Sequence, residues 1–229
     1  MKLKWIMFCG LVVASSQVWA AGHAVLKTEK EKLSYSIGAS IGKNLRKEDT
    51  EVDLNLLIQG LKSSMRGDKG LLLSEGEIRQ VMNDYQVKLR QQAMANRQRA
   101  MGENKTKGDA FLADFKTKKG VMSLPSGVLY RIIKEAEGRK PIESDMVEVN
   151  YRGTLISGKE FDATSPGHPA TLKVSALIPG WKQALSVMPV GSKWQLVIPS
   201  SLAYGERGVG NDIGPNEVLV FDVELLAIK

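Results

Sequence analysis

Leu177-Ile178-Pro179-Gly180-Trp181-Lys182-Gln183-Ala184-Leu185-Ser186-Val187-Met188-Pro189 is the stretch that decides the fold of the second half of this 229-residue chain. Trp181 to Val187 reads as a short helix stopped by Pro189, which has no N–H to continue it. It is the one convincing helix after Gly120, where short β-rich runs are separated by Gly and Pro. Val128 to Ile133, Val147 to Arg152, Thr171 to Val174, Trp194 to Ile198 and Val218 to Leu226 read as strands, and Ser157-Gly158 supplies the turn of a hairpin between residues 147 and 161. Strands with one short helix to cover a face predict a curved antiparallel sheet wrapped over that helix, with a pocket between them.

The first half has a different grammar. From Thr28 to about Lys119 there is no proline, and apolar residues recur at helical spacing. Thr28-Glu29-Lys30-Glu31 reads as a capping box opening a helix through Leu33, Ile37, Ile41 and Leu45. Asp53 caps a second helix from Leu54 to about Met65, ended by Gly67. A third opens at Ser74-Glu75-Gly76-Glu77, and nothing forces it to stop before Gly120; if continuous it runs about 44 residues, roughly 66 Å at 1.5 Å per residue. Ile78, Val81, Met82, Tyr85 and Leu89 form an apolar stripe on its first turns, suited to packing on the first two helices. Between Arg90 and Gly108 the large apolar residues are Met94 and Met101 alone, so this part reads as a solvent-bridging stem. Gly102 and Gly108 mark bending points, and Phe111, Leu112 and Phe115 restore an apolar edge that can dock on the second half. The fold class is therefore α+β: an all-helical N-terminal part, a long connecting helix and a C-terminal sheet around a short helix. The predicted segments are 1–20, 21–73, 74–120 and 121–229.

Residues 28 to about 90 are too few to bury a large core and carry apolar positions on more than one helical face, which predicts self-association. Gly38 and Gly42, with Ser34, Ser36 and Ala39, smooth one side of the first helix for close approach of another helix, either of a second copy or of the same chain. Lys2 and Lys4, the apolar run Ile6 to Ala14 and Val18-Trp19-Ala20 form a secretory signal cut after Ala20. That run is too short to span a bilayer and no later stretch approaches twenty apolar residues, so no transmembrane segment is expected. Cys9, the single cysteine, lies inside the signal, and His23 and His168 are the two histidines. Thiol chemistry is thereby excluded from the mature chain, and a metal site is disfavoured. Removing Lys2 and Lys4 lowers the formal charge from +7 to +5. Residues 21–120 hold 19 Lys/Arg against 13 Asp/Glu and residues 121–229 hold 11 against 12, so the basic character belongs to the first half. It reads either as a solvated helix face or as attraction to an anionic surface; nothing points to nucleic acid.

The chemistry-bearing fragments are Val149-Asn150-Tyr151, Phe161-Asp162, Leu177 to Trp181, Ala203-Tyr204-Gly205 and Leu219 to Asp222. They contain no nucleophile–base pair. One carboxylate, Asp162, among rings describes a dry pocket rather than a hydrolytic centre. Ser200 and Ser201 lack a nearby histidine, and Gly205 to Gly210 lacks the Lys-Ser/Thr end of a phosphate cradle. Trp194, alternating along a strand, reads as a core residue, and His168 as an exposed loop residue.

In that order and spacing, the fragments resemble the FKBP-type peptidyl-prolyl cis-trans isomerases over about residues 121–229. Lys32-Leu33-Ser34-Tyr35-Ser36-Ile37-Gly38 and the long helix are similar to the exported, V-shaped dimeric subgroup typified by macrophage infectivity potentiator. The resemblance implies rotation about Xaa-Pro bonds of polypeptides, no cofactor, a homodimer through the N-terminal helices, and a location in the periplasm or on the outer membrane or surface of a Gram-negative cell. It implies Trp181 as the floor under the proline ring, Tyr151, Phe161, Ile178 and Phe221 as walls, and Leu177 and Ile213 closing the sides. The Ile178 N–H and Tyr204 hydroxyl would hold substrate carbonyls, and Tyr151 would hydrogen-bond Asp162. Asp162, Tyr204 and Tyr151 are thus the catalytic candidates.

Ala170, Leu172 and Val209 stand where many relatives carry rings, which implies a more open rim and leaves affinity for rapamycin- or FK506-type macrolides less secure than activity. Asp162 to Pro169 is turn-rich and reads as a flap. A rival reading is a binding chaperone, or a surface adhesion or virulence factor, whose clamp-shaped dimer matters more than catalysis.

Overall fold

A computed structural model of the chain describes residues 25–67 and 70–229; the predicted signal segment 1–20, with Cys9, and His23 lie outside them. The chain divides into two compact units, one ending at Ser74 and one beginning at Glu75. The first holds α1 (Glu29–Lys47) and α2 (Leu54–Met65). Thr28 and Glu31 form the expected capping box: Glu31 N–H donates to Thr28 Oγ1 at 3.2 Å and Thr28 N–H to Glu31 Oε2 at 2.9 Å. Those backbone donors hold the exposed Glu31 carboxyl below its ordinary range. Asp53 Oδ1 accepts from Asn55 N at 2.8 Å and Leu56 N at 3.1 Å, satisfying donors the first turn of α2 leaves free.

The second unit opens with α3 (Glu75–Lys116), a continuous 42-residue helix. Seven strands follow: β1 (Val121–Ser123), β2 (Leu129–Lys134), β3 (Met146–Leu155), β4 (Glu160–Ala163), β5 (Ala170–Lys173), β6 (Lys193–Ile198) and β7 (Leu219–Ile228). They form one sheet in the order β1-β2-β6-β7-β3-β4, every pair antiparallel. Two short strands share the outer edge of β3: β4 pairs with its C-terminal half and β5 with its N-terminal half. The α4 helix (Pro179–Leu185) packs on the concave face, with Trp181, Ala184 and Leu185 in one buried cluster with Val149, Leu196, Ile198, Phe221 and Val223. Pro179 lies at its first turn, where a missing N–H costs nothing. Trp194, 4% exposed, stacks on Tyr130 at 4.5 Å between ring centres, as a core residue should. The short strand β1 escapes a sequence reading because three residues carry no period.

The other face of the sheet is covered by the end of α3. Leu129, Val197 and Val220 lie side by side across β2, β6 and β7, and Phe115 packs on them with Val218, Phe111 and Leu112. The expected docking edge is present, but the stem segment before it departs from expectation. From residue 100 onward the less exposed positions of α3 are 100, 101, 104, 108, 111, 112 and 115, which fall on one face. Gly108 is buried, and a Cβ there would come within 2.7 Å of Val218 Cγ2. Neither Gly102 nor Gly108 interrupts the helix; Gly108 serves close approach rather than bending.

The two glycines should therefore respond oppositely. Gly102→Ala, with nothing within 4 Å of its Cβ position, should stabilise by about 0.5–1 kcal/mol through helix propensity. Gly108→Ala should destabilise despite the same gain, both read from the midpoint of denaturant unfolding.

Candidate functional site

Gly153, on β3, is opposite Phe221 of β7 and Asp162 of β4. A Cβ at Gly153 would come within 2.7 Å of Phe161 and 2.8 Å of Phe221, so the absent side chain is what lets these two rings meet. They do so edge to face, with centroids 5.5 Å apart at 87°. Phe221 meets Trp181 at 5.3 Å and 89°, and Trp181 meets Tyr151 at 5.5 Å and 87°. Four rings thus form a chain of T-shaped contacts, each setting the positive edge of one ring on the negative face of the next.

These rings bound a cavity of about 280 Å³, lined also by Asp162, Leu172, Ala176, Leu177, Ile178 and Tyr204. Trp181 and Phe221 are 4% and 5% exposed, forming a fixed base. Gly180 brings α4 against Ile198, since any Cβ there would overlap that side chain. Ile178 precedes α4 in extended conformation (φ −59°, ψ 150°), and its N–H donates to no backbone carbonyl among the described residues.

Asp162 is exposed at the mouth rather than enclosed among rings, because β4 lies at the sheet edge. Its Oδ2 accepts a 2.6 Å hydrogen bond from Tyr151 Oη. Burial, then that hydrogen bond and the Asp162 charge, pushes the Tyr151 hydroxyl far above the ordinary phenol value. Burial and the Asp162 charge also raise Tyr204. Both hydroxyls remain protonated hydrogen-bond donors across the physiological range.

Eight of the nine sequence candidates line the cavity; Ile213 does not. Its N–H and carbonyl both pair with Val209, at 3.2 and 2.9 Å, and its side chain, 6% exposed, joins the main core. Ala176, in a 3-10 turn before Leu177, lines the cavity without having been singled out, as small residues carry no pattern. In the turn-rich segment after Asp162, Thr164 is tied to β3: its N–H donates to Tyr151 O, and its Oγ1 accepts from Tyr151 N, both at 3.0 Å. His168 is an exposed loop residue.

An aromatic cleft with hydroxyl donors, one carboxylate at its mouth and no nucleophile–base pair among its lining residues suits non-covalent binding of an apolar segment better than hydrolysis. Residues 137–226 match the family model of FKBP-type peptidyl-prolyl cis-trans isomerases, and residues 30–132 match that of the domain amino terminal to them. The chain is 44% identical to the outer membrane protein MIP of Legionella longbeachae, covering 100% of this chain and 99% of that one. It is 38% identical to the peptidyl-prolyl cis-trans isomerase Mip of Coxiella burnetii, over 89% of each. The crystal structure of FkpA from Escherichia coli superposes with a TM-score of 0.69 at 37% identity, covering 90% of this chain and 99% of that one. The chain belongs to the FKBP-type peptidyl-prolyl cis-trans isomerases.

Because Tyr151 is neutral more stubbornly when folded than its ordinary value of 10.0, the folded state keeps a proton there that the unfolded chain loses. That contribution is full below pH 10 and is lost as pH rises above it. Unfolding midpoints between pH 8 and 11 should fall less steeply for Tyr151→Phe than for the parent protein.

Proposed function

We propose that the chain is an exported homodimeric isomerase that turns Xaa-Pro bonds of polypeptides by desolvation and shape, assisting folding. The observation that carries this reading is the four-ring chain around the cavity, with the Tyr151–Asp162 hydrogen bond at its mouth. Rotation is opposed by amide resonance with a barrier of about 18–20 kcal/mol. When the bond twists, the nitrogen lone pair leaves conjugation, and the carbonyl loses dipole and needs water less. A cleft that replaces water with ring edges and aliphatic surface then favours the twisted state over the planar one.

In this reading Trp181 is the floor under the proline ring, with Tyr151, Phe161, Ile178, Leu177 and Phe221 around it. The Ile178 N–H and Tyr204 hydroxyl hold substrate carbonyls on either side of the turning bond, an orienting role without proton transfer. Asp162 fixes the Tyr151 ring and biases the field at the reacting carbonyl. Leu172 and Ala176, aliphatic members of the lining, support a rim less suited to macrolides of the rapamycin and FK506 type than an all-aromatic one. Ile213, in the core, supports the loop that carries Tyr204.

Residues 21–73, with the first turns of the long helix, form the dimerisation part in this reading, and 121–229 the isomerase domain. Support comes from large apolar side chains left exposed on α1 and α2, among them Leu33, Ile37, Leu54, Leu56 and Leu61. The same exposed helices favour a second reading in which the dimer also holds unfolded chains. The leader read in the sequence and the name of the Legionella relative support export to the periplasm or outer membrane. No helix among the described residues is long and apolar enough to cross a membrane, so surface association would be peripheral.

Purified residues 21–229 should accelerate cis-to-trans conversion of a short Xaa-Pro peptide. Asp162→Ala should lower kcat/KM by roughly tenfold or more, about 1.4 kcal/mol, with the fold intact. An unchanged value would remove Asp162 from the mechanism. Sedimentation equilibrium should give twice the chain mass, and a monomer at micromolar concentration would exclude the dimer.

A further inference from the structure

The loop from Tyr204 to Glu217 is closed on itself. Asn216, in left-handed conformation at φ 57°, donates its N–H to Gly205 O at 2.8 Å, joining the two ends. Val209 and Ile213 pair in both directions near the tip. Gly208, at φ 64°, lies so close to the Ile213 and Gly214 carbonyls that no side chain fits. With its internal bonds made, the loop leaves other carbonyls free for outside donors, and those of Glu206, Arg207 and Pro215 are among them.

All three are taken by α3. Arg97 Nη2 donates to Glu206 O at 2.8 Å and Arg207 O at 3.1 Å, and Asn104 Nδ2 donates to Pro215 O at 2.9 Å. In return Asn216 Nδ2 donates to Met101 O at 3.3 Å. One turn further, Gly108 lets the helix touch Val218. Positions 97, 101, 104 and 108 are separated by four, three and four residues, so one helical face makes every contact. Burial raises the Glu217 carboxyl, opposed by Lys107 of α3, which marks this seam as partly shielded from water.

Tyr204 opens this loop. Its carbonyl accepts from Gly208 N–H at 3.2 Å, so the clamped residues 206 and 207 lie inside the turn that Tyr204 begins. We propose that Arg97 and Asn104 are positioning residues for catalysis, which hold the loop through its backbone carbonyls and thereby fix the Tyr204 hydroxyl over the cavity. The long helix is then a working part of the isomerase site as well as a connector. The inference rests on the role proposed above for Tyr204.

Full-length mature protein would be compared with its Arg97→Ala, Asn104→Asp, Arg97→Lys and Arg99→Ala variants, each with and without Tyr204→Phe. Asn104→Asp preserves shape and removes the donor; Arg97→Lys keeps a donor; Arg99 is on another face of α3. Loss of either clamp side chain's donors should lower kcat/KM roughly fivefold, the scale of about one hydrogen bond. Arg97→Lys should recover most of the loss, and Arg99→Ala should match the parent. In the Tyr204→Phe background the effects of Arg97→Ala and Asn104→Asp should nearly vanish, because residues acting through one group are not additive. Clamp variants with parental kcat/KM beside an impaired Tyr204→Phe would overturn the proposal alone. So would losses that simply add to that of Tyr204→Phe, the mark of a merely structural role. A fully active Tyr204→Phe would instead remove the role of Tyr204 on which the proposal rests.

Discussion

The missing side chain of Gly153 is the constraint from which the site follows. An antiparallel sheet places a side chain at every position of its concave face, and β3 runs through the middle of the region where Phe161 and Phe221 must meet. At the ring spacing observed, 5.5 Å, no Cβ fits between them. One vacancy therefore permits Phe161–Phe221, which fixes Phe221 against Trp181, which in turn fixes Tyr151. Tyr151 then reaches Asp162 from one side while its backbone holds Thr164 on the other. The rigidity of the cleft is the sum of contacts that depend on one another, and a site that works by shape requires that rigidity.

Much of this arrangement was legible in the residues. Helix starts were clear where Thr28, Glu31 and Asp53 supply oxygen acceptors, because capping chemistry is local. Strands were clear where β-branched and aromatic residues cluster, and α4 because Pro179 opens it and Pro189 follows it. The rings were recognisable because aromatic residues are few and their fragments are bounded by turns. What escaped shares a physical character: Gly153, Gly180, Ala176 and the face of α3 act by absence of bulk or by donors aimed at backbone carbonyls. Neither leaves a hydropathy pattern. Ile213 shows the opposite limit, since an aliphatic residue near a site looks the same whether it lines the cavity or the core behind it.

The polar stretch of α3 illustrates why hydropathy misjudges such seams. A helix face that meets another helix or a sheet is apolar, as Phe111, Leu112 and Phe115 are. A face that meets a glycine-rich loop meets exposed carbonyls, and its natural complement is a row of donors with a glycine where backbones touch. Arg97, Asn104 and Gly108 are such a row, and two kinds of contact follow one another along a single helix as its neighbour changes from loop to sheet.

Every residue lining the cavity belongs to the unit that begins at Glu75, and α1 and α2 contribute none. Self-association through the exposed apolar helices would change how many clefts a polypeptide meets. Avidity acts on dwell time and the ring pocket on the twisted bond. On the proposed reading, substitutions on α1 and α2 would alter the holding of clients, and substitutions in the rings or the loop clamp would alter turnover. Because the exposed apolar helices and the ring cavity draw on different residues of the chain, the isomerase and chaperone readings are compatible.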